Sequence, residues 1–452
     1  VIGGIIADKV LGFRKAVILG GLLMAAGHFA MAFEGIIWIF YLALALIIVG
    51  NGFFKPNISS YLGTFYSAND PRKDGAFTIF YMGVNIGAFL APLTCGYVGE
   101  TFSWFWGFSL AGFGMLIGLI VFWWNLGRKG STNQMAILEK EESRDTGAAP
   151  DPEKLKKPFL GPLNLQSAIY GGAILAVPLC ALMLNINEWF KIILIILGLG
   201  IILYLLFTSI NMQKEDSKTL DADENSSAKG QRLWVVIVLF FFHMIFWALF
   251  EQAGGSLTLF ADRNVDRILF GNDIPASIFQ SLNPLYIMVL APVFSWIWLR
   301  LSKVGKEPST PMKFALGLLQ LSLGWAVIVI GGKFFAGSGL VPLIFLVLMY
   351  LFHTTGELSL SPVGLSMVTK LSPGKIVGFV MGAWFLSISL AHEMAAYLGK
   401  LTAAPAENMP PAETLPLYLD TYMIWGVFVI AGAGLLLVFL VPKLRAWMHG
   451  IH

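Results

Sequence analysis

Residues 36–58 read Ile36-Ile-Trp-Ile-Phe-Tyr-Leu-Ala-Leu-Ala-Leu-Ile-Ile-Val-Gly-Asn-Gly-Phe-Phe-Lys-Pro-Asn-Ile58. No residue from Ile36 to Phe54 is charged. An apolar run of about 20 residues is what an α-helix needs to cross a ~30 Å hydrocarbon layer. A single cation, Lys55, stands within this run, and its presence there has to be explained.

Working outward, the pattern repeats. After an apolar stub, Val1–Ala7, twelve apolar spans fall at about 16–33, 36–58, 75–98, 104–126, 167–184, 188–210, 232–260, 276–300, 313–331, 340–362, 376–398 and 418–441. The stub reads as the last turns of a longer span, so the protein's own N-terminus is expected to lie upstream. Two connectors are long and polar, Arg128–Leu165 and Asn211–Gln231, and read as solvated linkers with room for a short surface helix. Composition agrees: 57% of the 452 residues are hydrophobic and 13% are charged, against about 25% charged in soluble domains. Mean hydropathy is +0.74. A net charge of +3 is too small to suggest nucleic acid, and two cysteines, Cys95 and Cys180, exclude a disulfide scaffold.

Loop charges orient the spans. With the connector after the stub on the cytoplasmic side, most of the 30 lysines and arginines fall in cytoplasmic segments and Lys55 stands within a span. Only Lys191, Arg263, Arg267, Lys333 and Lys400 lie opposite, as the positive-inside rule requires. The C-terminus is then cytoplasmic. Four spans and the stub precede the first linker, two lie between the linkers and six follow. This resembles the six-plus-six plan of the major facilitator superfamily with a central pair inserted. Transporters of that plan bind solute near mid-membrane. The expected divisions are an incomplete N-terminal bundle at 1–126, linkers plus two inserted helices (about 167–210) at 127–231, a C-terminal six-helix bundle at 232–441 and a cytoplasmic tail at 442–452.

A charge at the centre of a membrane helix costs about 2.5–3.5 kcal/mol on insertion scales, so such charges mark function. Three stand out: Lys55, Glu251 and Glu357. Lys55 and Glu357 each lie roughly 25 Å along their helices from the outer end, at about 1.5 Å per residue. A cation and an anion thus reach similar depth from opposite halves, as the two ends of a zwitterionic solute would need. Glu251 is mid-span with Trp247 and His243 on the same helix face. A carboxylate in an apolar site can load and release a proton as an ion partner leaves and returns. Phe77, Tyr81 and Asn85 form one stripe at i, i+4, i+8; such a stripe is core packing or a set of amide contacts. Glu357 and Ser361 are a further i, i+4 pair. His28, His353 and His392 read as buried, hydrogen-bonded histidines. His392-Glu393 opens like a zinc-protease motif, but Ala396 stands where the second histidine belongs. No Walker motif and no catalytic constellation is present, so the chain is not read as an enzyme or an ATP-driven pump.

Three stretches are more specific: Gly3-Gly-Ile-Ile-Ala-Asp-Lys-Val-Leu-Gly-Phe-Arg-Lys; Gly52-Phe-Phe-Lys-Pro-Asn-Ile-Ser-Ser with Asp74-Gly-Ala-Phe-Thr-Ile-Phe-Tyr-Met-Gly-Val-Asn; and Phe246-Trp-Ala-Leu-Phe-Glu-Gln-Ala-Gly-Gly-Ser. The first resembles the loop between the second and third helices of the major facilitator superfamily. The others resemble signatures of the proton-dependent oligopeptide transporter family, and the likeness runs end to end, including the two extra helices of bacterial members. The resemblance implies a fourteen-helix symporter in the bacterial inner membrane that couples protons to uptake of di- and tripeptides. By that resemblance, Lys55 approaches the peptide carboxylate, and Tyr81 and Asn85, with Phe77 beside them, touch the peptide. Trp247 and Trp384 are pocket walls, while Asn283 and Glu357, with Ser361 nearby, meet the amino end. Glu251 faces a first-helix arginine, and Glu251, Lys55 and Glu357 carry the coupling. The family's first-helix Glu-x-x-Glu-Arg motif is absent, so the chain alone is expected to be inactive and the full-length protein active. No cofactor or metal is expected beyond the coupling proton. The partners are peptides, protons and lipid, with no nucleic acid, and the working unit is a monomer. The alternatives are a same-fold transporter of another solute (an amino acid, nitrate or a peptidomimetic) and a peptide receptor that does not transport.

Overall fold

The computed structural model describes residues 2–33, 35–66, 72–127, 151–160, 163–215, 226–372, 376–403 and 409–451. Twelve helices among them are long and apolar enough to cross a membrane, one for each apolar run. The chain divides into two compact units, Val1–Phe190 and Lys191–His452.

The first unit opens with α1 (Ile2–Ile6) and a π-helical turn, followed by α2 (Phe13–Met31), α3 (Ile37–Gly63), α4 (Arg72–Ala91), α5 (Tyr97–Thr101) and α6 (Trp104–Gly127). A short helix α7 (Pro152–Lys156), a small antiparallel pair β1 (Pro158–Leu160) and β2 (Leu163–Asn164), and α8 (Leu165–Asn185) complete it. Between lipid-soluble helices burial of apolar area gains little, so close packing of small residues has to hold them. Gly20 on α2 and Gly50 on α3 face each other so closely that a Cβ on either would collide with the other's carbonyl oxygen. Gly27 and Ala43 repeat the contact near the other end.

The second unit contains α9 (Asn187–Glu215, from Lys191 onward), α10 (Ser226–Phe250), α11 (Ser256–Asn264), α12 (Leu282–Lys303), α13 (Thr310–Phe334), α14 (Leu343–Leu371), α15 (Val377–Leu401), α16 (Pro411–Thr421) and α17 (Ile430–Trp447). α13 is its axis: Phe314, Leu318, Leu321, Trp325 and Ile328 are fully buried. Gly317 lies against the carbonyl of Gly356 on α14, and Gly356 against that of Gly317.

Several boundaries differ from the sequence reading. The span expected at 232–260 is not one helix. α10 ends at Phe250, tightens into a 3₁₀ turn over Glu251–Gly254, and stops at Gly255 (φ −127°, ψ −109°). The last span begins at Pro411, not 418, and passes through a π-helical turn at Tyr422–Val429. Pro442 lies inside α17, so the tail expected from 442 is helical to Trp447. The second linker is shorter than expected, because 211–215 and 226–231 are helical. Its centre, 216–225, and residues 128–150 of the first linker lie outside the described residues. The rest of the first linker carries the expected short helix, α7.

Candidate functional site

In the first unit the candidate Lys55 stands beside a proline inside a helix. Pro56 has no N–H, so the carbonyl of Gly52 loses its helical donor. Gly3 packs directly against that carbonyl. The next residue secures the joint: Asn57 is 1% exposed, and its Nδ2 donates to the carbonyls of Phe53 (2.8 Å) and Gly3 (3.3 Å). The hydroxyl of Ser60 donates to the Pro56 carbonyl at 2.9 Å. These bonds fix the backbone that carries Lys55, whose side chain is exposed. Among the described residues its ammonium has no hydrogen bond or ion pair.

On α4, Asn85 is buried and its Nδ2 donates to the carbonyl of Tyr81, one turn back, at 2.9 Å. One amide hydrogen is thus used within the helix, leaving the second and Oδ1 for another group. The Tyr81 ring is half exposed. Phe77 is half-buried and faces Gly63 at the end of α3.

In the second unit the structure joins two residues far apart in sequence. Asn283, in the first turn of α12, donates from Nδ2 to Glu357 Oε2 at 2.9 Å and to Thr354 Oγ1 at 3.1 Å. Thr354 in turn donates to the Tyr350 carbonyl at 2.7 Å, so its oxygen is free to accept. Glu357 is 9% exposed. One carboxylate oxygen is held, and the other is available to a cation. Ser361 lies one turn further on α14, with its side chain outside the described residues.

The stripe on α10 resolves into a chain of donors. Trp247 Nε1–H donates to His243 Nε2 at 2.8 Å, so that nitrogen carries no proton. His243 Nδ1 therefore donates to Ser387 Oγ at 2.9 Å, and Ser387 donates to the Trp384 carbonyl at 2.7 Å. The imidazole also lies on the Trp384 ring, with centroids 3.9 Å apart. Trp384 is 4% exposed, packed among His243, Phe240 and Phe314. Glu251 lies one turn beyond Trp247, in the 3₁₀ turn, within electrostatic reach of Glu357. His392, expected to be buried, is instead exposed, with Nε2 3.7 Å from Glu251 Oε2.

Sequence reasoning missed Asn57, Thr354, Ser387 and Gln252. Gln252 is buried and fully bonded: Nε2 donates to the carbonyls of Ala248 and Ala395, and Oε1 accepts from Ser256 at 2.6 Å. Ser256 accepts from the Tyr422 hydroxyl at 3.2 Å. The break after α10 is thereby fastened to α15 and to the π-helical turn. Only the Glu251-Gln-Ala-Gly-Gly spacing hinted at it.

The POT family model, PTR2, matches residues 14–132 and 193–415. The uncharacterized transporter YclF of Bacillus subtilis is 36% identical over all of this chain and 83% of its own length. The peptide transporter YePEPT of Yersinia enterocolitica is 35% identical over 90% of this chain and 78% of its own. Dipeptide and tripeptide permease B of Edwardsiella piscicida is 34% identical, covering 99% and 84%. Among solved structures, a mutant of a peptide transporter POT in complex with alafosfalin superposes with a TM-score of 0.74 at 34% identity, covering 99% of this chain and 84% of that one. A POT family transporter in complex with 5-aminolevulinic acid gives 0.70 at 27%, covering 98% and 84%. The fold is of the major facilitator type. The likeness spans both units and every helix that carries a candidate residue, from Lys55 on α3 to Trp384 on α15, and the chain belongs to the POT family.

Proposed function

We propose that the protein is a proton-coupled symporter that imports di- and tripeptides by alternating access. The observation that carries this reading is the pairing of Asn283 with Glu357. A nearly buried carboxylate with one oxygen held by an amide and one oxygen open suits a peptide's terminal ammonium. Lys55, an exposed membrane cation without a protein partner among the described residues, suits the peptide carboxylate. Phe77, Tyr81 and Asn85 in the first unit, and Trp247, Ser361 and Trp384 in the second, are the further proposed peptide contacts. Glu251 is the candidate for the coupling proton. One charge crossing 100 mV supplies about 2.3 kcal/mol, enough for a roughly fiftyfold peptide gradient. The names of the permease relatives support the substrate class. Loop charges support a bacterial cytoplasmic membrane location with the C-terminus inside, and the proposed transport unit is a monomer.

A second reading has one observation in its favour. A relative of the same fold is bound to 5-aminolevulinic acid, a zwitterion that is not a peptide, so another small amino- and carboxyl-bearing solute fits the same charges. The test is uptake of labelled dialanine into liposomes driven by an inward pH gradient, with a tripeptide, a free amino acid and 5-aminolevulinic acid as competitors. The proposal expects concentrative uptake, abolished by a protonophore, with competition by the tripeptide. Competition by the non-peptides alone favours the second reading, and binding without accumulation makes the protein a receptor. Glu357→Gln is expected to weaken dialanine binding by about tenfold or more, the loss of roughly 1.4 kcal/mol of a charged contact.

A further inference from the structure

Glu251 stands where α10 changes to a 3₁₀ turn, and its carboxylate faces a histidine of α15. His392 Nδ1 lies 2.8 Å from the carbonyl of Ile388, which can only accept, so Nδ1 carries a proton. The remaining nitrogen, Nε2, is the one turned to Glu251, at 3.7 Å from Oε2. With Nε2 unprotonated and Glu251 ionised, two lone-pair atoms face each other. One added proton, on either atom, converts the contact to an attractive one. The separation exceeds a hydrogen bond, so the pair stands apart rather than locked. The His392 side chain is 55% exposed and that of Glu251 34%.

We infer that His392 is the second half of the coupling site, so that Glu251 and His392 share one exchangeable proton between Oε2 and Nε2. This rests on the reading of Glu251 as the proton carrier. The proton arrives from water and returns to water. Loaded, the pair is neutral as a whole, either imidazolium with carboxylate or imidazole with carboxylic acid. Unloaded, it carries one negative charge. Loading therefore removes one negative charge from the pair itself, and charge within a membrane-spanning segment is costly.

A first-helix arginine is expected opposite Glu251 by the family resemblance; among the described residues the neighbouring polar and ionisable groups are the following. On α10, His243 is committed to Trp247 and Ser387. From α14, Glu357 acts on Glu251 electrostatically and is bonded to Asn283. On α15 itself the ionisable neighbours are Glu393, adjacent in sequence, Tyr397, and Lys400, two turns on. α16, which also packs on α15, carries Glu413, Tyr418 and Asp420, and α9 offers only Tyr204 between Ile192 and Met212.

The test compares pH-gradient-driven uptake of dialanine with its counterflow in the absence of a gradient, in liposomes. The proteins are wild type, His392→Asn, His392→Gln, Glu251→Gln and the double variant of His392→Asn with Glu251→Gln. The ratio of driven uptake to counterflow is expected to fall at least about fivefold in both His392 variants, the lower end of ordinary coupling. The double variant should be no worse than Glu251→Gln alone, since both changes remove the same proton. If Glu251→Gln lowers the ratio and the His392 variants do not, this inference fails while the reading of Glu251 stands. If Glu251→Gln leaves the ratio intact, that reading fails and takes the inference with it. Losses that multiply in the double variant also overturn it, as they would mean independent roles. Acid-minus-neutral infrared difference spectra of wild type and Glu251→Gln need no His392 variant to fold. A histidine band that is present in wild type and diminished in Glu251→Gln supports the pair, and identical histidine bands in the two overturn it.

Discussion

Partner count separates residues of one type into different roles. His243 has both ring nitrogens bonded and its face covered by Trp384, so it is a strut that fixes the Trp247 indole. His392 has one nitrogen bonded to its own helix and the other turned to a carboxylate. Asn85 and Asn283 differ in the same way: one donates an amide hydrogen to its own helix, the other reaches across to α14. Asn283 is therefore the residue whose loss isolates Glu357. Replacing it with leucine leaves a nearly buried carboxylate without its donor, which costs about 1–3 kcal/mol. Asn283→Leu is expected to lower the thermal unfolding midpoint and to weaken dialanine binding together. A variant with both quantities unchanged would show that the amide does not hold the carboxylate in solution.

Helices in this protein meet through backbone as much as through side chains. Gly317 and Gly356 bring α13 and α14 together so that each hydrogen-bearing Cα lies over the other's carbonyl. A valine at 317 has nowhere to go except by parting the two helices, and overpacking of that kind costs about 1–3 kcal/mol. Gly118 on α6 has open space where a Cβ would stand, and Gly118→Ala should be neutral or stabilising by up to about 1 kcal/mol from helix propensity. Thermal unfolding in detergent micelles checks both. Equal losses at the two sites would mean that close approach is not what Gly317 provides. The spans themselves were legible because an apolar run of membrane length has only one common use. The break at Gly255 was not, since apolar residues continue on both sides of it and only the backbone registers the change. The pairs Asn283–Glu357 and Glu251–His392 were equally hidden. Periodicity reports which residues share a helix face, but not which two helices meet. The candidates Lys55, Glu251 and Glu357 could be found because charge in a membrane run is costly wherever it falls.

Over the whole molecule, the charges that the proposed function uses are divided between the two compact units: Lys55 in the first, Glu357 and Glu251 in the second. A zwitterionic peptide offers one group to each sign, and each end can be removed chemically without touching the protein. N-acetylation takes away the ammonium, and C-terminal amidation takes away the carboxylate. If Glu357 receives the ammonium, N-acetyl-dialanine should bind wild type about tenfold or more weakly than dialanine, a loss of roughly 1.4 kcal/mol. The same blocking should cost little further in Glu357→Gln, because the partner is already gone. C-terminal amidation should cost the same in wild type and in Glu357→Gln, since it acts at the other end, and should cost little further in Lys55→Gln. Competition binding over this set of ligands and variants yields two double-mutant cycles, in which coupling is expected only within each matched pair. If N-acetylation costs as much in Glu357→Gln as in wild type, the assignment of Glu357 to the amino end fails, whatever the transport assays show. Coupling of Glu357 to the amide instead would reverse the orientation of the peptide and exchange the roles of the two charges.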